Sequence, residues 1–131
     1  MEDLIESIKK NEGFVGPVYK DTLGFDTIGY GTKLPLSEEE AEVLLLLRLK
    51  DKIEELIVRE PFFMELPVDK QEIIVEMCYQ MGVSGVLNFK RMWKALKEFE
   101  FFEASVEMMD SKWAKQTFTR AYELSLRMRE E

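Results

Sequence analysis

The chain contains no histidine and only one cysteine, Cys78. Without histidine, neither a Ser-His-Asp triad nor a Cys-His pair can be assembled. The usual zinc hydrolase sites, which need His or several Cys, are excluded as well. One thiol cannot close an internal disulfide. Cys78 ends the apolar stretch Ile73-Ile74-Val75-Glu76-Met77-Cys78 and is read as a small buried hydrophobe. Long apolar runs are also missing. The longest is Val43–Leu47, far short of the ~18 residues of a membrane span. The opening residues Met1-Glu2-Asp3-Leu4-Ile5-Glu6 are acidic and amphipathic, whereas a secretory leader opens on basic residues followed by an apolar block. A protein that stays in the cytoplasm where it is made, without a signal peptide or stable membrane insertion, is therefore expected.

Positive charge is in short supply. Lys and Arg total 18 against 26 Asp and Glu, a formal net charge of -8. The excess is concentrated in residues 1–60, which hold 14 acids and 8 bases. An acidic chain is a poor general binder of nucleic acid, and no nucleic-acid partner is expected. Lys90, Arg91, Lys94 and Lys97 form one local basic run. Hydrophobic residues make up 46% of the 131 residues, enough for one domain, or two small lobes, with a real core. With histidine absent, acid–base chemistry falls to carboxylates, helped by Tyr or Lys. Glycoside hydrolysis is then a leading reaction class.

Residues 3–11 read as a short helix with Leu4, Ile5 and Ile8 on one face, stopped by Gly13. Gly16, Gly24, Gly29 and Gly31 punctuate β-prone pieces at 18–20, 25–28 and 32–34, which predicts a small antiparallel sheet. Ser37-Glu38-Glu39-Glu40 has the form of a capping box. A helix is predicted from there to about 57, with the stripe Leu45, Leu49, Ile53 and Leu56, long enough to join two lobes. Pro61 and Pro67 frame a connector, and further helices are predicted over 68–81, 87–97, 100–111 and 118–129. The fold class is α+β, predominantly α-helical. The expected division is an N-terminal lobe with its linking helix over about 13–57, and a helical lobe from about 58–131 joined by 1–12.

Glu12 closes the first helix, where the macrodipole places partial negative charge and disfavours a carboxylate. A site that favours the protonated form suits a general acid. Asp21 follows in a turn and Thr27 in a strand. Each residue alone has an ordinary structural explanation: a solvated Glu, a turn Asp, a strand Thr. The combination differs. Asn11-Glu12-Gly13 leads through Tyr19-Lys20-Asp21-Thr22-Leu23-Gly24 to Thr27-Ile28-Gly29-Tyr30-Gly31, and this order closely resembles the N-terminal signature of the phage-type lysozymes, the family of the T-even bacteriophage endolysin. Gln80-Met81-Gly82 with Gly85 and Phe89, and Trp113, Gln116 and Arg120-Ala121, resemble its later motifs in the same order.

The resemblance implies a lysozyme-like fold and hydrolysis, with inversion, of the β-1,4 bond between N-acetylmuramic acid and N-acetylglucosamine in peptidoglycan. It implies Glu12 as catalytic acid, Asp21 as catalytic aspartate and Thr27 as the hydroxyl beside the attacked carbon. Room for a water between the carboxyl groups requires them ~6.5–9.5 Å apart. Tyr79, Gln80 and Arg120 are implied as glycan-binding residues, with Arg120 expected near Glu12. No cofactor or metal is implied. The expected partner is the glycan strand alone, met by a monomer released to the wall through membrane holes. Thr32 stands where the family often has His, the segment from Thr32 to Ser37 is short, and the chain ends soon after Arg120. A non-catalytic or virion-associated peptidoglycan-binding relative is the alternative, and a helical interaction domain a weaker one.

Overall fold

The computed structural model describes residues 1–130. It is an α+β protein, mostly helical, with one three-stranded antiparallel sheet near the N-terminus. Two compact units divide the chain: Met1–Leu44, and the part beginning at Leu45.

The first unit opens with α1 (Glu2–Glu12). Glu2 and Asp3 in its first turn and Lys9 and Lys10 in its last complement the helix dipole. Gly13, at φ +70°, ends it and donates its N–H to Lys9 O at 2.9 Å. Three strands follow: β1 (Val15–Lys20), β2 (Asp26–Gly29) and β3 (Thr32–Lys33). The central strand pairs with both neighbours, Thr27 facing Tyr19 on one side and Lys33 on the other. The β1–β2 register is irregular between Val15 and Tyr19, where Pro17 has no N–H to give to a ladder.

The predicted capping box forms at the start of α2 (Glu38–Arg59). Glu40 N donates to Ser37 Oγ at 3.1 Å and Ser37 N donates to Glu40 Oε1 at 2.9 Å. These bonds hold the Glu40 carboxyl below its ordinary value. The boundary between the units falls inside this helix.

The second unit contains the core. From the stripe of α2, Leu56 is fully buried. A 3₁₀ turn at Pro61–Glu65 occupies the expected connector. α3 (Val68–Met81) contributes Ile73, Ile74, Met77 and Cys78, all without solvent contact. Burial pushes the Cys78 thiol up to about 12. The helix predicted over 87–97 starts later, as α5 (Lys90–Lys97), and a short helix, α4 (Val83–Leu87), occupies the stretch expected only to separate it from α3. Phe89, at ψ +65°, lies outside helical geometry, and the Val86 carbonyl is taken by the indole N–H of Trp93 at 3.1 Å.

The helix predicted over 100–111 stops earlier, as α6 (Phe101–Met109). Ser111 then caps a new short helix, α7 (Lys112–Gln116), by accepting the Ala114 N–H at 3.1 Å. α8 (Phe118–Arg129) packs on α3, α6 and α7. Its C-terminal carbonyls at Arg127 and Glu130 accept hydrogen bonds from the buried ammonium of Lys70, which Asp69 partners at 3.1 Å. No helix among the described residues is long and apolar enough to cross a membrane.

Candidate active site

Glu12, Asp21 and Thr27 all lie in the first unit, on three different elements. Glu12 is the last residue of α1 and is solvent-exposed. Its carboxyl group rests against the turn between β2 and β3. Ile28 pairs with Thr32 across this turn, and Gly31 inside it has φ +76°. A Cβ at position 31 would meet Glu12 Oε2 at 2.6 Å and Cδ at 2.7 Å. Only glycine accepts both this backbone conformation and this close approach. The carboxyl group of an exposed helix-terminal residue thus lies close against the turn.

Asp21 sits in the loop between β1 and β2. Its backbone N–H donates to Phe25 O at 2.9 Å, and its carbonyl accepts from Gly24 N at 3.0 Å. Both side-chain oxygens are occupied. Oδ1 accepts the N–H of Leu23 at 2.9 Å and of Phe25 at 2.8 Å, while Oδ2 pairs with Lys33 Nζ at 2.7 Å. The Lys33 ammonium, followed by the Phe25 N–H, holds the Asp21 carboxyl below its ordinary value. Asp21 is therefore an anion near neutral pH, oriented by three donors.

Thr27 is fully buried in the central strand, and its hydroxyl donates to Phe25 O at 2.8 Å. With its proton so placed, the Thr27 oxygen can only accept a further hydrogen bond, and the side chain has no solvent contact in this structure. Phe25 joins the two residues: its N–H binds Asp21 and its carbonyl binds Thr27. The segment Leu23–Thr27 therefore sets both side chains through one stretch of backbone.

Tyr79, Gln80 and Arg120 lie in the second unit. Arg120 Nε bonds Glu76 Oε2 at 3.1 Å, and Tyr79 is partly exposed. Both line an apolar groove of about 700 Å³ whose walls include Leu45, Leu49, Ile53 and Val75. Gln80 belongs to a separate hollow with Trp113. It accepts the Trp113 indole N–H at 2.9 Å and donates to Thr117 Oγ1 at 3.5 Å.

Lys33 and Glu76, and the contact of Gly31 with Glu12, escaped the sequence reading. The register supplies the signal for Lys33, since a residue paired across the sheet from Thr27 stands beside the loop that carries Asp21. The motif itself contains Gly31, but not its contact with Glu12. Glu76 stands out only as a lone acid in an otherwise apolar stretch of α3.

Comparison with known proteins gives a consistent picture. The family model described as "Phage lysozyme" matches residues 9–131. The chain is 30% identical to "Probable T4-type lysozyme 1" of Dictyostelium discoideum, over 88% of this chain and 87% of that protein. It is 26% identical to "Probable T4-type lysozyme 2" of the same organism, over 92% and 90%. It is also 26% identical to the "Pre-baseplate central spike protein Gp5" of Enterobacteria phage T4, over 94% of this chain but 27% of that protein.

Proposed function

Because the chain belongs to the phage lysozyme family, we propose that it is a muramidase, an inverting hydrolase of the β-1,4 bond between N-acetylmuramic acid and N-acetylglucosamine in peptidoglycan. The observation that supports this most directly is the contrast between two carboxyl groups of one unit. Glu12 is open to solvent at a helix C-terminus, backed by Gly31. Asp21 is locked as an anion by Lys33 and two backbone N–H groups. A pair of carboxyl groups in unequal environments is what separates acid from base roles in glycoside cleavage.

In this mechanism Glu12 donates its proton to the glycosidic oxygen as the bond to the anomeric carbon breaks. A water on the opposite face, held by Asp21 and the Thr27 oxygen, attacks the oxocarbenium-like carbon and gives its proton to Asp21. Proton exchange with solvent resets both groups. An Asp held below its ordinary value is a weak base. Its main contributions are therefore to orient the water and to stabilise developing positive charge, and proton transfer comes late. Tyr79 offers a face for a sugar ring, and Gln80 and Arg120 offer polar contacts to the strand. The protein works as a monomer, is made in the cytoplasm and reaches the wall after release through membrane holes.

Glu12→Gln removes the proton with little change in shape. Turbidity loss of purified sacculi should fall by about 10²–10⁴-fold, with an unchanged circular dichroism spectrum. Full activity in this variant would overturn the mechanism. The similarity to the central spike protein favours a second reading, a wall-directed component of a phage particle. Immunodetection of the chain in purified virions, as opposed to lysate supernatant, separates the two.

A further inference from the structure

We propose that Lys33 is a positioning residue for this reaction, its ammonium fixing the second carboxylate oxygen of Asp21 so that the carboxylate stays ionised and immobile while it holds the water. The inference rests on the hydrolase reading above and extends it to a residue outside the motif that carries that reading.

The geometry singles out Lys33. It stands on β3 directly across from Thr27, so the strand pairing that buries the Thr27 hydroxyl also sets the root of the lysine. Asp21 Oδ1 is already saturated by two backbone N–H groups. Oδ2 has Lys33 Nζ, 2.7 Å away, as its partner. The side chain of Asp21 is 14% exposed and that of Lys33 55%, so a sheltered anion is met by a cation reaching in from the solvent rim.

The other charged and titratable groups around them are accounted for. Lys20 of β1 is paired with Asp26 of β2 at 2.5 Å and is thereby engaged elsewhere. Glu12 of α1 and Tyr19 of β1 act on Lys33 in the same direction as Asp21, and together they hold the lysine protonated. Lys33 therefore lies within the field of both carboxylates. With the lysine half exposed, the pair contributes only modestly to folding. A sugar that excludes water lowers the local dielectric and strengthens the same contact. The value of Lys33 lies in the bound state.

The test uses the full chain as wild type, Lys33→Met and Lys33→Arg. Hydrolysis of purified sacculi is measured from pH 3 to 8, with kcat and KM separated on soluble glycan strands. The Asp21 carboxyl is titrated by carbon-13 NMR, with Asp21→Asn to assign its signal. In K33M the acid limb of the rate profile should move to higher pH, kcat should fall several-fold on that limb, and KM should change little. The Asp21 titration should move with the limb, and K33R should restore both. An acid limb and an Asp21 titration that coincide in wild type and K33M would overturn the inference. So would equal impairment of K33M and K33R. The titration requires no activity. A wild-type chain that leaves sacculi intact therefore overturns the hydrolase reading, while the NMR arm still decides whether Lys33 controls Asp21.

Discussion

At the scale of single residues, the site depends on atoms that are absent as much as on those present. Gly31 has no Cβ where the Glu12 carboxyl group lies. Gly31→Ala forces a side chain into a positive-φ conformation and pushes Glu12 off the turn. The expected cost is about 1–3 kcal/mol of stability, read by thermal or denaturant unfolding, with a loss of sacculus hydrolysis larger than that destabilisation explains. An Ala variant of full activity would show that Glu12 needs no such seat. Asp21 carries a pH dependence of definite sign. Its folded-state value lies below the ordinary one, so it contributes stability above pH ~4, and that contribution disappears as pH falls through the folded value. Denaturant unfolding between pH 2 and 6 should show the acid-side loss in wild type and a smaller one in Asp21→Asn. Glu12, Asp21 and Thr27 could be put forward as candidates from the sequence because short-range motifs carry them. Lys33 could not, because its contact with Asp21 appears only once β3 is registered against β2.

At the scale of elements, legibility followed the range of the forces. The capping box at Ser37 and Glu40 is local chemistry and was readable directly. Ser37→Ala should cost about 1 kcal/mol, measured by denaturant midpoint at pH 7. The deficit should shrink in acid as Glu40, held below its ordinary value by Ser37, takes up its proton. The split between α4 and α5 was not readable. It coincides with a local turn in which the Phe89 N–H and the Trp93 indole N–H both donate to the Val86 carbonyl, contacts no periodicity reports. The cap of α7 by Ser111 is hidden for a different reason, because the apolar pattern of 100–111 runs past the point where the backbone breaks. Lys70 has no signal in the sequence at all: it is buried on α3 and meets the end of α8 through Arg127 O.

At the scale of the whole molecule, charge is the property with a functional consequence. A net charge of -8 repels an anionic wall, and salt screens that repulsion as the Debye length falls from ~30 Å at 0.01 M to ~10 Å at 0.1 M. Lysis of intact walls should therefore quicken with added salt over this range, whereas cleavage of short neutral glycans should not. A rate on walls that declines steadily with salt would contradict this electrostatic picture. The bond that is cut can be read most directly from the fragments. Purified sacculi digested with the protein, reduced with borohydride and analysed by mass spectrometry should yield muropeptides ending in reduced N-acetylmuramic acid, with none from the Glu12→Gln protein. Fragments ending in reduced N-acetylglucosamine, or cut only within the peptides, would contradict a muramidase built on Glu12 and Asp21.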